Sequence, residues 1–161
     1  MEDNDTSERC IPWEPIPRDA NRYMVLNVAL FEQTALSGHG TPISLVVVSS
    51  HKSEHPRGSA AIAWHIALQK VAAYRSCDIT MWKGARPYSD VISKRLDVAL
   101  WEIQNSSWLT ENVSAERIAR THHYVIASSF DVFEIAAASW ESEELGEWRR
   151  VRDDLRRWGI R

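Results

Sequence analysis

The chain has 161 residues, 44% of them hydrophobic and 25% charged, with a formal net charge of −3. These totals suit one folded domain with a real core and exclude a disordered chain. They also exclude a whole-molecule positive field able to hold a nucleic-acid backbone, and two cysteines, Cys10 and Cys77, are too few for a disulfide scaffold.

The opening residues, MEDNDTSERC, are acidic where an export signal needs positive charge followed by an apolar run. No stretch approaches the ~18 uninterrupted apolar residues of a membrane span. The sequence therefore predicts a cytoplasmic protein with reduced thiols and no membrane partner. Pro12, Pro15 and Pro17 deny residues 1–21 a regular hydrogen-bond ladder, so this stretch reads as a flexible, extended arm that Trp13 pins to the body. Residues 22–161 read as a single α/β domain.

In chain order, the apolar run 23–31 predicts a strand, closed by a turn over Ser37–Pro42. Ile43–Val48 is a nearly continuous β-branched run, the pattern of a strand covered on both faces in a partly parallel sheet. A polar loop, 49–59, follows. Ala60–Tyr74 is alanine-rich, with Ile62, Trp64, Ile66, Leu68 and Val71 on more than one face, and predicts a buried helix. Cys77–Trp82 predicts the next strand, and Ser89 caps a second helix carrying Ile92, Leu96, Leu100 and Ile103. A helix is predicted from Ser114 to Thr121, while 122–138 stays open between helix and strand. Leu145, Trp148, Val151, Leu155 and Trp158 recur every three or four residues, with acids early and arginines late, and predict an amphipathic C-terminal helix. The expected fold is an α/β (or α+β) domain: a partly parallel sheet with an N-terminal hairpin strand, flanked by helices.

In such a sheet ligands collect in the crevice at a strand's carboxyl end, where a helix N-terminus offers free amides to an anion. The loop 49–59 would supply hydroxyls from Ser49, Ser50, Ser53 and Ser59, a ring from His51, charge from Lys52 and Arg57, and close backbone approach at Gly58. This predicts a nucleotide or other anionic ligand. The same residues also make an ordinary polar loop in which Ser59 caps the helix.

Leu45–Glu54, Ile62–Gln69 and Asp78–Gly84 together resemble the start of bacterial TIR-like nucleotide-binding domains, which pair a serine-rich turn after an apolar strand with a later strand ending in tryptophan before glycine. The resemblance implies a flavodoxin-like fold that binds NAD-type nucleotides, with Trp82 in the ligand set. When active, that family cleaves the nicotinamide–ribose bond with a glutamate, because a nearby anion stabilises the oxocarbenium character of the ribose. No glutamate stands in Asp90–Leu96, where the family has it, so Asp97 and Glu102, the nearest acids downstream, inherit the catalytic role by implication.

Two other functions stay open. Arg117 and His122 have the spacing of a pair that could cleave RNA without metal, histidine as acid or base and arginine on the phosphate. No metal site is read. Eight tryptophans are many for this length: Trp64, Trp101 and Trp148 fit packing positions, whereas Trp108, Trp140 and Trp158 with the late arginines could form a partner surface. A non-enzymatic interaction protein of the immunity or adaptor type, or a homo-oligomer, would use this C-terminal half.

Overall fold

The computed structural model describes residues 7–13, 28–32, 43–49, 62–82, 84–94, 100–127 and 131–157. In chain order the elements are β1 (Arg9–Pro12), β2 (Val28–Glu32), β3 (Ile43–Ser49), β4 (Ile62–Gln69), β5 (Ala73–Asp78), α1 (Ile79–Trp82) and α2 (Pro87–Ser93). There follow β6 (Leu100–Gln104), α3 (Ser107–Asn112), α4 (Ala115–Ile118), β7 (His122–Ala127), β8 (Asp131–Ala137), β9 (Ser139–Glu147) and α5 (Trp148–Arg157).

The strands form two sheets, ordered β1-β6-β7-β8-β5 and β2-β3-β4-β9, and every pairing is antiparallel. The partly parallel sheet expected from the sequence is therefore overturned, and with it the flavodoxin-like arrangement that the TIR resemblance implies. The predicted helix over Ala60–Tyr74 is replaced by β4, a corner and β5. Ile62, Trp64, Ile66 and Leu68 stand two residues apart, and as a strand they all turn to one face, which buries them better than a helix would spread them. The predicted strand 77–82 ends at Asp78, whose Oδ1 accepts the Thr80 amide at 2.7 Å and starts the turn α1. Of the second predicted helix, Pro87–Ser93 forms α2 and Leu100–Gln104 is instead β6, residues 95–99 lying outside the described ones. The predicted C-terminal helix begins only at Trp148, the acids before it lying on β9. The strands expected over 23–31 and 43–48 are met in β2 and β3, the residues before Val28 lying outside the described ones, and α4 falls inside the helix predicted for 114–121; Arg9–Pro12, by contrast, pairs with β6 as β1, in the stretch where the prolines were to deny a regular ladder.

The two sheets share one apolar core. Ile43, Leu45, Val47, Trp64, Ile66 and Leu68 from the four-stranded sheet meet Leu100, Tyr124, Ile126, Phe133, Ile135 and Ala137 from the five-stranded one, with Trp13 closing the end beside Tyr124 and Trp140. Val46, Val48 and Ala63 on the opposite face are buried too. That two-sided burial is what makes Ile43–Val48 read as a parallel strand. β4 passes into β5 and β8 into β9 at one corner, where the chain leaves one sheet for the other. Lys70 takes a left-handed φ of 52° there, and Ala138 donates to the Gln69 carbonyl at 3.1 Å. The other face of the five-stranded sheet is covered by Trp82, Tyr88 and Ile92 over Trp101, Ile103, Val125 and Val132, and by Trp108, Leu109 and Val113 over Ala136.

Candidate functional site

Strand alternation turns His123 of β7 and Glu134 of β8 to the helix-covered face, where both are fully excluded from water. His123 pairs with Ala136 and Val125 with Glu134, so the two side chains are diagonal neighbours, and Arg75 of β5 sits directly opposite Glu134. A lone carboxylate in this place would be very costly. Arg75 Nε donates to Oε2, the Tyr88 hydroxyl donates from α2 to Oε1, and His123 Nε2 lies 3.6 Å from Oε1. Burial alone would raise the Glu134 carboxyl, but the His123 ring, Arg75 and Tyr88 outweigh it and hold the group at about 2. Burial also pushes the Tyr88 phenol up, reinforced by the Glu134 hydrogen bond, and drives His123 below its usual range against the pull of Glu134. At neutral pH the carboxylate is charged, the phenol protonated and the imidazole neutral.

Ser106 completes the group. Its Oγ lies 2.8 Å from His123 Nδ1 and accepts the Leu109 amide at 3.2 Å, capping α3. A ring nitrogen facing a carboxylate does best with its hydrogen there, so Nε2 carries the proton, Nδ1 accepts, and the Ser106 hydroxyl donates to it. The Trp108 indole packs 4.5 Å from the His123 ring, and the Arg75 guanidinium carbon lies 5.5 Å from that indole. Above them Arg86 reaches Glu111 at 2.9 Å and Ser107 at 3.3 Å, while Glu8 accepts from the Ser107 amide at 2.7 Å.

Hydroxyl, imidazole and carboxylate stand here in the order used for nucleophilic catalysis. Nevertheless Ser106 is 5% exposed and its Oγ is engaged by the helix, Glu134 is already neutralised by Arg75, and 3.6 Å separates the imidazole from the acid. The group ties α2 and α3 to the sheet and offers no reacting atom to solvent. Sequence reasoning missed Glu134, Tyr88, Arg75 and Ser106. The available signal was Glu134 itself, a single charge inside the apolar run Val132–Ala137.

Of the residues singled out in the sequence, Ser49 ends β3, paired with Ile62, while Ser50, His51, Lys52, Ser53, Arg57, Gly58, Ser59 and Asp97 lie outside the described residues. The helix that was to aim amides at an anion is absent, because Ile62–Gln69 is a strand. Trp82 is 1% exposed and packs on Tyr88. Trp108 is likewise buried in the core and forms no partner surface. Glu102 is on β6, where its Oε1 meets Nδ1 of His122 at 2.8 Å. The structure thus joins two residues that the sequence had placed in separate sites, an acid and an imidazole that are both partly open to water and flanked by the Tyr124 ring.

The C-terminal segment has the opposite character. β9 is the last strand in its sheet, and all five residues Glu141 to Leu145 are exposed. Its pairing with β4 shifts register at Ala63/Trp64, opposite Glu144 and Gly146, and Gly146 takes a φ of 89° that favours glycine. Glu141, Glu143, Glu144 and Glu147 make no ion pair among the described residues. α5 lies against β9 and β4; its Trp148, Val151 and Leu155 are half-buried, and Arg149, Arg150, Arg156 and Arg157 are exposed. No helix among the described residues is long and apolar enough to cross a membrane. In comparisons with known proteins, no family model, no curated protein and no solved structure matches the chain.

Proposed function

We propose that the chain is a non-enzymatic protein-interaction module, of the immunity or adaptor type, that docks a partner through β9 and α5. The observation that carries this reading is the contrast in burial and charge: the buried Glu134 is met by Arg75, Tyr88 and His123, whereas the carboxylates of a long edge strand are exposed with no ion pair among the described residues and Arg149, Arg150, Arg156 and Arg157 of the adjoining helix are exposed. Interfaces of specific complexes are enriched in arginine and aromatic residues, and Trp140 and Trp148 stand half-buried beside these charges. The two free thiols, Cys10 and Cys77, support a reducing, cytoplasmic setting. The test is cross-linking of the full chain to its partner in extract of its native cells, followed by mapping. Links should concentrate on residues 139–157, and Arg149→Glu, Arg150→Glu, Arg156→Glu and Arg157→Glu together should release the partner. Links spread over the remaining surface would remove the reading.

A second reading rests on the His122–Glu102 contact at 2.8 Å. A carboxylate that orients a solvent-reached imidazole is the arrangement of a general base, and Arg117 and Arg120 lie just upstream in sequence. This is the metal-independent ribonuclease reading. RNA cleavage that survives His122→Ala would dispose of it.

A further inference from the structure

We infer that Ser7–Trp13 is a strap closing a binding seat from within the chain, and that the seat takes in its place an extended partner segment with a carboxylate five residues before a large aromatic side chain. This goes beyond the β9–α5 surface proposed above. The strap lies at the edge of the five-stranded sheet, where β6 is its one strand neighbour among the described residues. Trp13 enters the end of the core beside Tyr124 and Trp140, with ring centroids 4.4 and 5.6 Å away. At the other end Glu8 accepts from the amide and the hydroxyl of Ser107, at 2.7 and 2.8 Å. Between these anchors the ladder joins Arg9, Ile11 and Trp13 to Gln104, Glu102 and Leu100, the Trp13 amide donating to the Leu100 carbonyl at 3.0 Å. The other strand pairings of both sheets do not involve the strap, so it can leave while they stand.

The strap is an imperfect occupant of its own seat. The Trp13 indole N–H is buried with no hydrogen-bond partner among the described residues, a cost that docking imposes and release removes. Trp13 is also the one buried side chain in Ser7–Trp13, so little apolar surface holds the strap down. Local opening that spares the rest of the fold is expected of such a segment. The contacts of the strap define what else fits. Main-chain pairing to β6 requires an extended segment, and Ser107 requires a carboxylate at the position of Glu8. The end of the core requires an aromatic ring, and phenylalanine fills that place without burying a donor. Pro12 stands opposite Trp101 between the hydrogen-bonded positions, so its missing N–H costs no bond to β6. The strap of a second copy has the same chemistry as the one already tethered beside the seat, and the tethered one prevails at ordinary concentrations.

Amide hydrogen exchange of the full chain, read residue by residue, carries its own standard within β6. The Glu102 and Gln104 amides face the strap, and those of Trp101 and Ile103 face β7. The first pair should exchange roughly tenfold faster than the second, and Glu8→Ala, which removes the contact to Ser107, should speed the first pair only. The probe is a synthetic peptide of residues 7–13 carrying Cys10→Ser and Trp13→Phe. In excess it should slow Glu102 and Gln104 of the Glu8→Ala chain by roughly tenfold. Wild type should need more peptide for the same protection, because the closed strap lowers the fraction of open seats. Equal exchange of the two pairs overturns the strap, as does a Glu8→Ala chain in which all four amides speed up alike. Absence of protection by the peptide overturns the partner segment, and so does equal protection by a peptide with alanine in the aromatic place. Protection of wild type that grows with its own concentration, with dimers in sedimentation, gives the seat to a second copy and overturns the partner segment too.

Discussion

Under α2 and α3 the protein withdraws a carboxylate, an imidazole, a phenol and a serine from water and answers each with another group of the same chain. Along β9 it leaves four carboxylates in water and answers none of them within the described residues. The two regions lie on different sheets and differ in what fixes their geometry. Glu134 is wedged between β5 and β7, so its partners arrive by register, whereas β9 has a neighbour on one side only. Charge inside this molecule decides which helices lie on which strands. Charge on its edge stays in water.

The largest effect expected from this contrast is at Glu134. Glu134→Ala leaves the buried Tyr88 hydroxyl facing a cavity while Arg75 keeps part of its side chain in water, so the cost falls toward the lower end of the about 3–5 kcal/mol of a broken buried charged pair. Urea unfolding of wild type and variant would measure it, and a loss below about 1 kcal/mol would mean that the network does not hold the helical layer.

Acid should act through the same group. Glu134 is held at about 2 against an ordinary 4.5, so its contribution is complete above 4.5 and is lost as pH falls toward 2. The native His123 binds its proton below the ordinary 6.5, so the unfolded chain takes up that proton first and stability begins to fall below 6.5. The carboxylate step is worth roughly 3 kcal/mol at most. Melting temperatures measured from pH 7.5 downward should drop in two legs, and the lower leg should be missing in Glu134→Gln. A profile unchanged by that substitution would break the assignment.

These effects could not be read from the sequence, for reasons visible in particular residues. In Ile62–Gln69 the apolar side chains stand at every second position, a strand pattern, but Ala63 and Ala67 between them and the alanines at 60 and 61 give the segment a helix-like composition. Here composition masks period, and a single strand with helix-like composition makes an antiparallel sandwich resemble a βαβ unit. In 139–147 the acids belong to an exposed edge strand, yet acids before arginines also mimic a helix dipole. What was legible was local and periodic: β3, the strand character of 28–31, the anchoring of Trp13, and the helix from Trp148 onward. The Glu134 group was hidden because Arg75, Tyr88, Ser106, His123 and Glu134 span some sixty residues of chain, and only strand register brings them together. The exposed charges of β9 and α5 were closer to hand, since the acids and arginines of 141–157 stand together in the sequence.

Tyr88→Phe gives a smaller, cleaner separation of packing from hydrogen bonding. The ring stays against Trp82 and His123, and only the hydroxyl donated to Glu134 is lost. Hydrogen bonds to charged groups contribute about 1.5–3 kcal/mol, so the variant should be less stable by that order and should unfold at a higher pH than wild type during acidification. Unchanged stability together with an unchanged acid transition would show that Tyr88 acts through packing alone.

The smallest change in stability is expected where the change in association is largest. Glu141→Gln, Glu143→Gln and Glu144→Gln together replace exposed side chains that make no ion pair among the described residues, so folding should move by no more than about 0.5 kcal/mol. The like charges of neighbouring acids are relieved at the same time, which favours the variant slightly. Those charges are also what keeps one β9 from annealing to another, since an uncharged, exposed edge strand is a template for its own copy. Sedimentation of the neutralised chain over a range of concentrations should therefore show self-association that wild type lacks, reversed by Glu143→Lys in the same strand. If the neutralised chain stays monomeric at every concentration, the carboxylates are not guarding the edge. Pairing along β9 would then be blocked by something other than charge.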